Sequence, residues 1–499
     1  MSNLIKTCFI LVFFCISLHA ITLRESVEEA IVSNPDVIAE LKNQEAYRMY
    51  VDEERADYLP TLNLDGYAEK SNTYNNADVQ GALSDKIEKD GWHMILKLEQ
   101  TLYDGGLSQS QVREREFNYQ SNKMRSNYKI EKDVIYEITQ TYTDLVMYDE
   151  LLSLSQAIIK SHEENLVTAK EKEEISGEVL ETYQVSSKLY YTTEKFLEQE
   201  ESKKNTIATF KKLVGKKPTG KICRPIIDES VIPKTLEEAI TYGIRNNYEI
   251  LQKIEDIKKQ REKITQQYAG YLPTLTFELQ GTWDNDLELD ENGRQDIYHA
   301  RLNLKWNLFA GGKNYIGTKK EKLFLQQAQK DLELKTDEVA EQISNAYEKY
   351  YSTKKRISAL EKYSEHNLNI LEVYKKEFDA GTRTFVDILN AESEVYTSNT
   401  ALIQREFELY TNYYSLLLNL SKLSDSILMQ KKQICTEPVV KKVSIRKIMN
   451  SDQSTTNELD GLLDNSAEIA PTAEENRAME AQKNKEEKIN LDAIYEKAK

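Results

Sequence analysis

Few residues of this chain are spaced for covalent chemistry. Gly311-Gly312-Lys313 has the glycines and lysine of a phosphate loop. It lacks the earlier glycine and the following Ser or Thr that such a loop needs. The five histidines do not have the spacing of a zinc protease. His93 and His299 stand at equivalent places in two similar segments. Paired imidazoles can hold a metal or sense pH, and plain polar lining is the simpler account. Of four cysteines, Cys8 and Cys15 lie in an apolar leader, while Cys223 and Cys435 each follow one half of the chain. A Cys223–Cys435 bridge would form in an oxidising compartment. Two unpaired loop thiols are the alternative, and spacing does not choose between them. No catalytic, cofactor or metal constellation results, so the expected class is not an enzyme.

The elements that position these residues are written twice. Tyr58-Leu59-Pro60-Thr61-Leu62 returns as Tyr271-Leu272-Pro273-Thr274-Leu275. Leu102-Tyr103-Asp104-Gly105-Gly106 returns as Leu308-Phe309-Ala310-Gly311-Gly312. An internal repeat sets the architecture before any local motif. Pro60 and Pro273 end helices and begin strands. In one half Trp92, Met94, Leu96 and Leu98 alternate with His93, Lys97 and Glu99; in the other Tyr298, Ala300, Leu302, Leu304, Trp306 and Leu308 alternate with His299, Arg301, Asn303 and Lys305. Period two, with one apolar and one charged face, is the strand signature. Strands are expected over about 61–103 and 274–309, joined by polar loops near 70–91 and 284–297. Runs of about ten such residues can cross a bilayer when tilted, although a soluble sheet with one wet face alternates in the same way.

Behind each Gly-Gly comes a very long helical stretch. No Gly or Pro occurs from Leu107 to Ser176 or from Thr318 to Ala380. Each run could span roughly 100 Å. Ile135, Ile138, Tyr142 and Leu145 keep a seven-residue pattern, as do Val339, Ile343, Ala346 and Tyr350, which predicts supercoiled seams. Gly177 and Gly381 interrupt the runs and suit tight helix–helix turns. Hairpins are therefore expected at about 107–214 and 313–424. Short amphipathic helices open each half at Thr22-Leu23 and Thr235-Leu236.

Residues 1–20 have the positive start, apolar core and small-residue end of a secretory signal peptide. The first repeat then covers 21–222 and the second 223–436. A charged tail, 437–499, is expected to be disordered or loosely helical. The net charge of −17 disfavours nucleic acid as a partner.

Four strands per chain cannot close a barrel, and open edges are not tolerated in lipid. If these are membrane strands, several chains must contribute. The strand-hairpin repeat, the Tyr-Leu-Pro-Thr-Leu segments, the Gly-Gly pairs and Gly381-Thr382-Arg383-Thr384-Phe385-Val386-Asp387-Ile388-Leu389-Asn390-Ala391-Glu392 together resemble the TolC-like outer-membrane factor family over residues 21 to 436. The resemblance implies an α+β membrane channel-tunnel. A homotrimer would form a twelve-stranded β-barrel in outer-membrane lipid of a Gram-negative bacterium, continued by an α-helical coiled-coil barrel into the periplasm. It would pass cargo from an inner-membrane ABC or proton-driven pump and a periplasmic adaptor (membrane fusion) protein, with type I protein secretion favoured over small-molecule efflux. It would use no cofactor. An exported soluble coiled-coil scaffold or adhesin would explain the heptads but not the amphipathic strands.

The same resemblance implies site residues. Gly177, Gly381 and Thr382 would form adaptor-docking tips. Arg383 and Asp387 match the family's closed entrance, where acidic rings and polar links hold the aperture shut. Asn390 stands where a second Asp is common, and Phe378 where a Tyr may serve the gate. Glu178 and Glu181 are expected partners for Arg383, with an Arg383–Glu181 link between neighbouring hairpins. His93, His299, Lys97, Arg301 and Lys305 would face the barrel lumen, and a trimer would carry six imidazoles at one level.

Overall fold

The computed structural model describes residues 21–75, 85–220, 222–287 and 293–429. The expected signal peptide, the charged tail and Cys435 lie outside the described residues. Cys223 is buried and disulfide-bonded.

Each half begins with two short helices at a sharp corner. α1 (Leu23–Ser33) starts with a capping box between Thr22 and Glu25, and α2 (Pro35–Ala56) follows Asn34. In the second half Thr235 caps α6 (Leu236–Asn246), and Asn247 caps α7 (Tyr248–Ala269). The corner asparagines do the same two jobs. Each side-chain oxygen accepts from its own helix start. The Asn34 amide donates to the Leu213 carbonyl at 2.8 Å, and that of Asn247 donates to the Asn419 carbonyl at 2.9 Å. Each corner is thereby tied to the far end of its own hairpin.

The strands form one antiparallel sheet in the order β1 (Thr61–Asn75), β2 (Asp85–Tyr103), β3 (Thr274–Asn285), β4 (Arg294–Lys305). They reach further into the connecting loops than expected. At the other end β4 stops at Lys305, not near 309, because Lys305 pairs with Thr274 and Pro273 ends the partner strand. The Trp306 indole instead donates to the Tyr271 carbonyl at 3.1 Å.

Gly105, Gly106, Gly311 and Gly312 all have positive φ, between 63° and 83°, where a side chain would be strained. This kink turns strand into helix. The Asp104 carboxylate accepts from the Gly106 N–H at 3.0 Å and the Ser108 N–H at 2.7 Å, capping α3 (Leu107–Ile130). The second half has Ala310 in that place, and its carbonyl accepts from Lys313 at 3.1 Å.

α3 runs through a π-turn (Glu131–Tyr136) into α4 (Glu137–Ser176), and α5 (Leu180–Val214) returns. α8 (Lys313–Asp379) is one helix of 67 residues, about 100 Å long. α9 (Phe385–Asn419) returns from it and ends at Asn419, short of the expected 424. Ser421 has φ 51°, and the chain turns there into α10 (Leu423–Leu428). The core sits where α1, α6 and α10 brace the middle of the long helices. All eight heptad residues are buried there. The segment joining the halves straps across this level. Arg224 donates to Glu150 of α4 at 2.6 Å, pairs with Glu406 of α9 at 2.8 Å and stacks on Phe407. No helix among the described residues is long and apolar enough to cross a membrane.

Candidate functional site

The sheet has two chemically opposite faces. Leu62, Leu64, Trp92, Met94, Leu279, Tyr298, Leu302 and Leu304 share one face and are exposed in the single chain, Leu64 and Leu302 at 64% and 63%. A soluble sheet would cover such a face. The other face holds the expected His93, Lys97, His299, Arg301 and Lys305, and it centres on a residue that was not expected. Glu278 of β3 accepts from His299 at 3.1 Å and lies 3.4 Å from Lys97 and 3.7 Å from Arg301. Its own position in the alternating pattern of β3 was the available signal. His93 pairs with Asp284 at 3.0 Å and stacks on Tyr67. The two histidines do not share a level. His93 lies opposite Asp284 and His299 opposite Gln280, four positions apart along β3. Each ring has its own carboxylate, and no metal-holding cluster occurs among the described residues.

At the opposite end the hairpins turn on Gly177 and Gly381, both at φ 75° with open space where a Cβ would stand. Gly177 donates to the Glu173 carbonyl at 2.8 Å. The Thr382 N–H and hydroxyl both donate to the Glu377 carbonyl at 2.9 Å, closing the second tip. Glu178 is exposed at the first turn.

Within the protomer the expected Arg383–Glu181 link does not form. The Arg383 guanidinium lies over the Tyr374 ring at 4.3 Å and bonds Glu377 at 2.7 Å, both on α8. Glu181 takes Lys172 of its own hairpin at 3.2 Å. Asp387 is also committed locally. Its carboxylate accepts from the Thr384 hydroxyl at 2.8 Å and N–H at 3.1 Å, capping α9. Those bonds, aided by the charge of Arg383, hold its carboxyl below the ordinary range. Asn390 is exposed one turn on. Phe378 lies in no polar network. It packs on Phe385 with ring centroids 5.8 Å apart, and Lys172 sits over both rings at 4.9 and 5.4 Å. This cation–π contact joins the first hairpin to the second. Two phenylalanines flanking Gly381 were its only trace in the sequence.

A sheet apolar on one side and charged on the other, set on helical hairpins whose longer arms run about 100 Å, defines one sector of a membrane channel-tunnel that further copies must close. The chain belongs to the outer membrane efflux protein family, whose profile matches residues 26–215 and 244–420. Members are homotrimeric outer-membrane channels that extend into the periplasm and work with a periplasmic adaptor and an inner-membrane pump. The alkaline protease secretion protein AprF of Pseudomonas aeruginosa is 20% identical over 407 residues, 79% of this chain and 82% of AprF. The outer membrane protein TolC of Vibrio cholerae is 28% identical over 176 residues, 34% of this chain and 40% of TolC. Among solved structures, the Campylobacter jejuni CmeC outer membrane channel superposes with a TM-score of 0.68 at 15% identity, covering 80% of this chain and 86% of CmeC.

Proposed function

We propose that this chain is the outer-membrane exit duct of a type I protein-secretion system. Its work is conduction and gating, with no covalent step. The observation that supports protein cargo is the likeness to AprF, which runs through most of both chains. Small-molecule efflux is the second reading, and the family as a whole supports it. The test is complementation of a host that lacks its own duct but carries a protease pump and adaptor. Protease in the medium supports the proposal; restored drug resistance without secreted protease overturns it.

In this reading the tips at Gly177, Gly381 and Thr382 dock the adaptor. The entrance is held by Arg383 on Tyr374 and Glu377, and by Lys172 on Phe378 and Phe385. Exposed ion pairs are worth only ~0–1 kcal/mol each, so several must act together across three copies. Arg383→Ser should raise single-channel conductance in a planar bilayer severalfold. Unchanged conductance would remove Arg383 from the gate. The charged face around Glu278 lines the water-filled lumen, and the apolar face meets lipid.

A further inference from the structure

Glu392 closes the stretch that follows the second tip, and the entrance described above gives it no role. It lies on α9 in line with the buried Phe385, Ile388 and Val395, and it is itself 2% exposed. An acid in that stripe needs partners. From α4, the Ser161 hydroxyl donates to it at 2.9 Å, the Asn165 amide donates at 2.9 Å, and His162 Nδ1 stands 3.5 Å away. From α8, Lys375 Nζ lies at 3.5 Å. Burial opposes the charged form most strongly, but His162, Lys375 and Ser161 outweigh it and hold the carboxyl below its ordinary range.

The bonds on the tip side of this node are of another kind. Lys172–Glu181 and Arg383–Glu377 each stay within one hairpin, and the contact that joins the two is Lys172 over the Phe378 and Phe385 rings, a partly exposed cation–π contact worth about 0.5–1 kcal/mol. Parting Glu392 from α4 would strand a buried carboxylate, a far larger cost. Relative motion of the two hairpins therefore takes the weak contacts first. We propose that Glu392 is the fulcrum of entrance opening: the two hairpins of a protomer stay pinned where Glu392 meets Ser161 and Asn165, and only the roughly 20 Å of hairpin between that point and the tips moves. The moving parts, counting both arms of each hairpin, are about residues 166–188 and 372–391. The inference rests on the entrance reading; a lock that lets go at Glu392 is its opposite.

Thiol bridging separates the two. In the Arg383→Ser background, one variant carries Ser161→Cys with Glu392→Cys, and another carries Lys172→Cys with Phe385→Cys. Each is joined by a short bifunctional thiol reagent without reduction. With a fulcrum, the 161–392 bridge leaves the raised conductance within twofold, while the 172–385 bridge returns it to the wild-type level. Closure by the 161–392 bridge as complete as by the other overturns the proposal. If Arg383→Ser alone leaves conductance unchanged, the entrance reading falls and amide exchange in the unsubstituted trimer decides the fulcrum. The same measurement decides if a bridged variant fails to form a trimer. Exchange at least tenfold faster in 166–176 and 382–390 than in 141–158 and 394–416 is expected. Equal exchange on both sides of Glu392 overturns it.

Discussion

Glu131 opens the π-turn, is 3% exposed and points at the start of α10. One carboxylate oxygen accepts from the Ser424 N–H at 3.2 Å and hydroxyl at 2.6 Å, and the other has no hydrogen bond. Burial pushes its carboxyl from 4.5 up to about 7, against the lowering effect of Ser424. A raised folded value means that the native state holds its proton longer than the unfolded chain. This group's contribution to stability is therefore whole below pH 4.5 and is lost as pH rises through about 7. Glu131→Gln should raise thermal stability at pH 8 by about 2–3 kcal/mol and change it little at pH 4.5. Melting in detergent at both values checks this, and equal effects at both would deny the buried charge. None of it was legible in the sequence, where Glu131 is one acid among many. Glu392 and Lys172 were missed for the same reason, since the partners that join them to the other hairpin lie more than about 200 residues away. Gly177 and Gly381 were legible because a turn inside a long helical run demands a backbone conformation that glycine supplies.

At the scale of elements the repeat carried most of the fold. Alternation placed the strands, and glycine-free runs placed the hairpins. The errors came at ends, where pairing decides. β4 stops because its partner has stopped at Pro273, and α9 stops at Asn419 because Ser421 turns the chain into α10. The π-turn leaves no mark on residue type. The corner asparagines give a test of the repeat as a mechanical unit. Asn34→Ala removes a cap and leaves the Leu213 carbonyl without that amide; Asn247→Ala does the same to Asn419. A lost cap costs about 1–2 kcal/mol, and an orphaned buried carbonyl adds to it. The two variants should lower the melting temperature by similar amounts, and the double variant by their sum, because the corners share no partner. Replacement by Asp should restore the cap but not the amide bond, and so recover only part of each loss. Full recovery by Asp would assign the whole effect to capping.

For the whole molecule, the single chain ends in two unpaired edges, β1 and β4, each with an apolar side facing out. For strands in lipid the sequence already required several chains, since four strands cannot close and lipid tolerates no open edge. It could not say which residues would meet lipid, because alternation alone also fits a soluble sheet. The register settles the two faces. Leu302 lies opposite Phe277, while its neighbour Asn303 lies opposite Thr276 on the Glu278 face. Arginine at a lipid-facing strand position costs about 2–4 kcal/mol at the bilayer midplane, and a trimer carries that three times. Leu302→Arg should therefore abolish the trimer seen on an unheated gel of outer membranes. Asn303→Arg places the same charge one residue away, on the wet side. It should assemble normally and shift the reversal potential toward anions, since three guanidiniums join Arg301 beside Glu278. A Leu302→Arg chain that assembles as well as Asn303→Arg would mean that the apolar face is not in lipid, and the barrel assignment of these strands would have to be withdrawn.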